Sequence, residues 1–146
     1  MWKSIATITL AILFSAYSSK QSQTMSQEEY QKLLSQTYML TPDSILTNDQ
    51  IELKIKVMDF MMTNVDMKDH KQVLQASRKD LEESGIPSLY YDILQYQINE
   101  TNTAIENLIK EGSIRAEDLH LESSFKEAKE RYWKTERQEL EARLSR

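Results

Sequence analysis

Glycine and proline are scarce in this chain, and their positions limit the folds that it can adopt. Its 146 residues include two glycines, Gly85 and Gly112, and two prolines, Pro42 and Pro87. Glycine ends helices because it adopts the left-handed cap conformation at little cost, and proline begins them because its missing N–H would lack a partner in the first turn. The run from Gly85 to Pro87 therefore predicts the end of one helix and the start of the next.

The spacing of apolar residues predicts an all-α fold. Apolar positions recur with a period near 3.6, whereas strand-like alternation is weak and hairpin dipeptides such as Asn-Gly are missing. We expect a single helical bundle of about four to five helices over residues 26–133. The predicted helices run from a capping box at Ser26 to about Gln36, from Asn48 to Val65, from Lys68 to Glu83, from Pro87 to Glu111, and onward from Ala116, with one further turn opened by Pro42.

The second and third predicted helices differ in how much apolar surface they carry. The second has a broad apolar face, which predicts a central position in the bundle. The third has only a thin apolar stripe under a charged exterior, and we expect it on the outside. The face of the second helix consists of Ile51, Ile55, Met58, Met62 and Val65, continued beside it by Leu53, Val57 and Phe60, and its narrow polar row consists of Glu52, Lys56, Asp59 and Thr63. The stripe of the third helix consists of Val73, Leu74, Ser77 and Leu81.

The C-terminal part of the last helix changes character after Trp133. From Lys134 onward almost every residue is charged or polar, so residues 134–146 are predicted to project from the bundle as a charged helical extension. An apolar stripe continues into this extension, where the bundle offers it nothing to cover. Trp, Tyr and Arg are frequent binding anchors, so we predict a partner-binding or self-association site, the alternative being a solvated helix with Trp133 at the bundle edge. The predicted site consists of Tyr132, Trp133, Arg137, Leu140 and Leu144.

The N-terminus has the pattern of an export signal. Lys3 precedes an apolar stretch from Ile5 to Phe14 and a run of small residues, which predicts a signal peptide over residues 1–18 followed by a polar tether over 19–25. The run from Phe14 to Ser19 resembles a Bacteroidetes-type lipoprotein signal, but Tyr17 stands at the position of the lipidated cysteine. A phenol cannot form the thioether, so we expect no lipidation. An uncleaved anchor is disfavoured because a span needs about 20 apolar residues.

Charge and cysteine content exclude several classes of protein. Removal of residues 1–18 takes away only Lys3 and changes the net charge from -5 to -6. An acidic chain without clustered Lys and Arg is not expected to bind nucleic acid. The chain has no cysteine, so an exported domain of this kind must be held by burial rather than by disulfides. No membrane span is expected in the mature chain.

Few residues could carry catalysis or hold a metal. The chain has two histidines, and no cofactor motif accompanies them. Glu117 and His120 have the Glu-x-x-His spacing of di-iron helical bundles, but those proteins need a second copy, and His70 has Met67 three residues before it. We therefore predict no catalytic, cofactor-binding or metal-binding residues. The alternative is a metal-binding protein or metal-dependent enzyme that uses Glu117, His120 and possibly His70.

These features together predict an exported, non-catalytic binding or accessory protein. Its expected location is the periplasm or outer cell envelope of a Gram-negative bacterium. Its expected partner is an envelope protein or a second copy of the chain, bound through the C-terminal helix. A purely structural spacer is the further alternative. On this hypothesis, ending the chain at Lys134 abolishes binding and leaves the bundle folded.

Overall fold

A computed structural model describes residues 25–144 of the chain. The predicted signal peptide, Tyr17 and all of the predicted tether except Met25 lie outside the described residues. The largely helical character predicted from the sequence is confirmed. The elements are α1 (Gln27–Ser35), a 3-10 turn (Asp43–Ile45), α2 (Asn48–Asn64), β1 (Val65–Lys68), β2 (Lys71–Leu74), α3 (Arg78–Glu83), α4 (Leu89–Lys110), a 3-10 turn (Ala116–Asp118), α5 (Leu121–Arg131), a π-helical turn (Tyr132–Glu136) and α6 (Arg137–Leu144).

Local capping explains most helix boundaries. The Ser26 hydroxyl accepts from the Glu29 backbone N–H, and the Glu29 carboxylate accepts from the Ser26 N–H, so α1 begins with the predicted capping box. Thr47 and Gln50 form the same reciprocal pair at the start of α2. Gly85 follows α3 with a φ of 82°, in the left-handed region that favours glycine. The predicted stop at Gly85 is therefore confirmed.

The predicted third helix is wrong over its first half. Residues 65–74 form an antiparallel β-hairpin in which Lys68 pairs with Lys71 across a two-residue turn. The turn residues Asp69 and His70 have φ values of 50° and 64°. Tight hairpins need two left-handed residues, and Asp and His accept that conformation more readily than most residues do. The Asp-His pair thus takes the place of the absent Asn-Gly.

The second half of this segment is helical and begins at an N-cap, Ser77, which the apolar spacing had placed inside a longer predicted helix. The Ser77 hydroxyl accepts from the Asp80 N–H, and the Asp80 carboxylate accepts from the Ser77 N–H, so α3 begins after Ser77. Leu81 is completely buried, as the predicted stripe requires. Val73 is 38% exposed while Gln72 is buried, because neighbouring residues in a strand point to opposite faces.

The hairpin is attached to α4 by one asparagine. The Asn102 side-chain oxygen accepts from the Gln72 backbone N–H at 2.7 Å, and its amide nitrogen donates to the Gln72 carbonyl at 2.9 Å. The side-chain amide therefore satisfies both backbone groups of Gln72, a residue that is itself buried. Unpaired backbone groups in such a place are costly, so this contact stabilises a two-stranded sheet that would be marginal alone.

Asn102→Asp is expected to lower the free energy of unfolding by about 2 kcal/mol, because a carboxylate cannot donate to the Gln72 carbonyl and instead faces it. Urea unfolding measures the loss, and exchange of the Gln72 amide proton is expected to accelerate. Asn99→Asp makes the same chemical change three residues away on α4 and is the control. Equal losses of unfolding free energy from the two substitutions would contradict the role of Asn102 in holding the hairpin.

Helices α2 and α4 carry most of the core. Side chains of α2 contribute to two buried clusters, which fits the broad apolar face predicted for this helix. Of the adjacent tyrosines on α4, Tyr90 is buried and Tyr91 is half-buried. One cluster contains Tyr38, Val57, Phe60, Leu81, Ile86, Tyr90 and Leu94, and the other contains Ile51, Ile55, Met58, Met62, Tyr132 and Leu140.

The predicted projection of the C-terminal extension is wrong. Helix α6 packs along α2, and Leu140, at 6% exposure, is a member of the α2 cluster. Leu144 packs against the same cluster. The apolar face of α2 was broad enough to need a further neighbour, and the two leucines of α6 supply it. The folded part of the chain therefore continues past the predicted boundary at residue 133.

Candidate interaction surface

A π-helical turn at Tyr132–Glu136 joins α5 to α6. Such a turn holds one more residue than an α-helical turn, and π turns are frequent at functional sites. Tyr132, Glu136 and Leu140 follow one another at intervals of four, and all three are directed into the protein. Their exposures are 0%, 5% and 6%. These three residues therefore mark the side of the C-terminal helices that packs against the protein.

Asp59 of α2 joins the π turn and α6 to the core. The Tyr132 hydroxyl donates to Asp59 Oδ1 at 2.7 Å. Arg137 donates through Nε to Oδ1 at 2.9 Å and through Nη2 to Oδ2 at 3.0 Å, which is a bidentate pair. Burial and the hydrogen bond to Asp59 raise the pKa of Tyr132, and the same carboxylate raises the pKa of Arg137. Both groups therefore keep their protons at neutral pH.

Trp133 is the exposed aromatic residue of this region. Its side chain is 43% exposed, whereas Tyr132 beside it is fully buried. The two rings are 5.2 Å apart between centroids and inclined by 72°, an edge-to-face contact that is favourable for aromatic pairs. Because Tyr132 is held by Asp59, the indole rests on an ordered support. One edge of the indole system thus packs on a buried, hydrogen-bonded ring while the rest stays exposed.

Glu136 is a buried carboxylate inside the π turn. Neither of its oxygens accepts a hydrogen bond from the part of the chain that the structure describes. Arg131 Nε lies 4.0 Å from Oε1. Burial raises the pKa of Glu136, Arg131 partly offsets this effect, and Glu139 adds to it. A charge at this position therefore opposes folding.

Glu136→Gln is expected to raise the melting temperature by a few degrees at pH 7 and to leave it unchanged near pH 4. The pKa of Glu136 is raised above its ordinary value of 4.5, so the folded state binds this proton more tightly than the unfolded state does. That contribution to stability is present below pH 4.5 and is lost as the pH rises through the folded pKa. Thermal melts between pH 4 and 8 measure the difference in melting temperature between the variant and the original protein. Glu127→Gln, at an exposed position of α5, is the control. A difference in melting temperature that does not depend on pH would contradict the raised pKa of Glu136.

The five residues predicted as a partner site do not form one surface. Tyr132 and Leu140 are buried, Leu144 is partly buried against the α2 cluster, and Arg137 is held by Asp59. Trp133 alone of the five is exposed. The expectation that the apolar stripe lacked anything to cover is therefore wrong, since it covers α2. Trp133 remains available to a partner.

The residues of the metal hypothesis do not lie on one helical face. Glu117 is in the 3-10 turn and lies 3.7 Å from Arg115. His120 has a φ of 47° and precedes α5, so the chain changes direction between the two residues. His70 is in the hairpin turn. That turn approaches the start of α5, because the Asp69 N–H donates to Glu122 at 3.2 Å.

Converging metal ligands are not found among residues 25–144. No group of three or more His, Asp or Glu side chains in this range is arranged to hold an ion. A small internal cavity of about 20 Å³ has walls that are largely apolar, and its volume corresponds to a single water molecule. Its lining includes Met61, Val65, Gln72, Leu94, Gln97 and Phe125.

Two residues of this region were not singled out from the sequence. In the sequence, Asp59 belongs to the polar row of α2, and Glu136 belongs to the charged C-terminal segment. The signal for Asp59 was its position beside a broad apolar face, where a carboxylate needs a cationic partner. Nothing local indicated that Arg137 would supply one, because the two residues are 78 positions apart.

Comparisons with known proteins add no relative. The chain matches no protein family, no curated protein and no solved structure. Between Met25 and Leu144, none of the helices combines the length and the apolar character needed to cross a bilayer.

Proposed function

We propose that this protein is an exported, non-catalytic binding or accessory protein of a bacterial cell envelope, which holds its partner through Trp133. The observation that carries the proposal is the exposed indole on a fixed support. A large aromatic side chain that is already ordered loses little conformational freedom on binding, and tryptophan is enriched among residues that dominate binding energy. Asp59, which accepts a hydrogen bond from Tyr132, is paired with Arg137.

The location is the second part of the proposal. The N-terminal pattern of Lys3, the apolar stretch Ile5 to Phe14 and the small residues after it supports export and cleavage after residue 18. Tyr17 at the lipidation position supports an unlipidated product in the periplasm or at the outer envelope of a Gram-negative bacterium. Intact-mass measurement of the exported chain is expected to give an unmodified product that begins at residue 19.

The extent of the folded domain is the third part. We propose one helical domain over residues 26–144 rather than a bundle that ends at 133 with a separate extension. The contacts of Leu140 and Leu144 with the α2 cluster support this boundary. The interaction surface then belongs to the domain itself, because Trp133 lies between α5, whose Phe125 is buried, and α6, whose Leu140 is buried.

Site-specific photocrosslinking in an exporting cell tests the binding proposal. A photoreactive residue at position 133 is expected to give a covalent adduct heavier than the chain. The same residue at position 108 is the matched control, because Leu108 on α4 is 38% exposed and Trp133 is 43% exposed. An adduct at 133 and none at 108 supports the proposal, and no adduct at 133 would end it.

A further inference from the structure

Four charged residues and Trp133 form a row on one side of the C-terminal helices. Its five members succeed one another at intervals of three or four residues, the spacing that places side chains on one helical face. Four of them are exposed, and the Arg137 side chain is 32% exposed. We name this row the Trp133 stripe, and it consists of Lys126, Glu130, Trp133, Arg137 and Glu141.

The order of charges along the Trp133 stripe makes it complementary to a second copy of itself that runs in the opposite direction. A positive and a negative residue precede Trp133, and a positive and a negative residue follow it. When a second stripe runs in the opposite direction, Lys126 faces Glu141, Glu130 faces Arg137, and Trp133 faces its own copy. When the second stripe runs in the same direction, every charge faces a like charge. Only the antiparallel arrangement is favourable.

We propose that the Trp133 stripe is the contact between two copies of this chain, packed as antiparallel helices about a twofold axis at Trp133. A twofold contact uses the same patch on both subunits, so the patch must be self-complementary, and this stripe is. The two indoles form the apolar centre and the charged pairs form the rim, which is the usual division of a protein interface. The inference rests on the proposed function, since it identifies the partner of the same tryptophan as a second copy.

The charges of the stripe differ in how far they are already engaged within the chain. Within the described part of the chain, no ion pair involves Lys126 or Glu130. Glu141 accepts from Arg137 through Oε1, and its side chain is still 48% exposed. Arg137 donates to Asp59 through Nε and Nη2 and to Glu141 through Nη1, and its side chain is 32% exposed. Preorganised groups of this kind lower the entropic cost of association.

A charge swap tests the pairing directly. The exported chain is purified from an expressing cell. Its sedimentation is expected to show a dimer whose fraction rises with concentration. Lys126→Glu places a negative charge opposite Glu141 twice, once for each subunit, and is expected to raise the dimer dissociation constant about tenfold. The double variant Lys126→Glu with Glu141→Lys restores opposite charges and is expected to return the constant to within about threefold of the original.

Two further variants complete the test. Lys79→Glu makes the same change of net charge on α3 and is expected to leave the dissociation constant unchanged, which separates local pairing from overall repulsion. Trp133→Ala is expected to raise the constant at least thirtyfold or so, as removal of a central aromatic anchor does. Thermal melts of all variants show whether the monomer fold is kept.

The outcomes separate this inference from the proposed function. A dimer that Lys126→Glu weakens and the double variant restores supports the antiparallel contact. A chain that stays monomeric at millimolar concentration, or a dimer indifferent to the swap, overturns it. In that case a crosslink from position 133 to a different protein leaves the proposed function standing. A crosslinked product with the mass of two chains supports both, and no adduct ends both.

Discussion

A chain ended after Lys134 is expected to lose about 5 kcal/mol or more of its free energy of unfolding. The truncation removes Leu140, which is buried in the α2 cluster, and the bidentate pair between Arg137 and Asp59. Loss of one buried leucine side chain costs about 2–5 kcal/mol, and Leu144 and the pair to Asp59 add to that figure. Total stabilities are typically about 5–15 kcal/mol, so much of the truncated protein should be unfolded.

Urea unfolding and binding of a hydrophobic dye measure this effect. The truncated chain is expected to bind the dye, because the α2 face loses its cover. Gln138→Ala in the full chain is the control, since this exposed position on α6 should change stability by no more than about 0.5 kcal/mol. A truncated chain with the urea midpoint of the full chain would show that α6 is dispensable, as the sequence alone had predicted.

This expectation changes how the interaction surface has to be tested. Loss of binding after truncation would not identify Trp133 as the contact, because the fold would be lost together with the surface. A single substitution at an exposed position avoids the difficulty. Trp133→Ala removes a ring that is 43% exposed and leaves the core side chains of α6 in place.

Tyr132→Ala is expected to lower the free energy of unfolding by about 3–5 kcal/mol, while Tyr132→Phe is expected to cost about 1–2 kcal/mol. The first variant removes a completely buried ring and leaves a cavity in the α2 cluster. The second keeps the ring and removes only the hydrogen bond to Asp59, whose carboxylate retains Arg137 as a partner. Equilibrium urea unfolding of both variants separates packing from hydrogen bonding.

The two tyrosine variants also differ in what they do to Trp133. With Tyr132→Phe the edge-to-face contact is kept, so binding through Trp133 should persist. With Tyr132→Ala the indole loses its support, and binding should weaken even under conditions where the protein is folded. A Tyr132→Ala chain within about 1 kcal/mol of the original would contradict the burial of this ring.

The hairpin shows why part of the fold could not be predicted. The apolar residues of its second strand, Val73 and Leu74, fit a helical stripe that continues to Leu81 as well as they fit a strand, because ten residues are too few to separate the two periods. The turn lacked glycine, so the usual dipeptide signal was absent. The contact that holds the strand comes from Asn102, which is 30 residues away.

The sequence by itself determined the largely helical character, the starts of α1, α2 and α4 to within about two residues, and the central role of α2. These features depend on caps and apolar spacing within a few neighbouring residues. Only the tertiary structure decided that residues 65–74 form a hairpin, that α6 closes on α2, and that Trp133 alone of its predicted group faces outward. The physical reason is that each of these depends on groups far apart in the chain, such as Asp59 and Arg137, whose pairing no local pattern records.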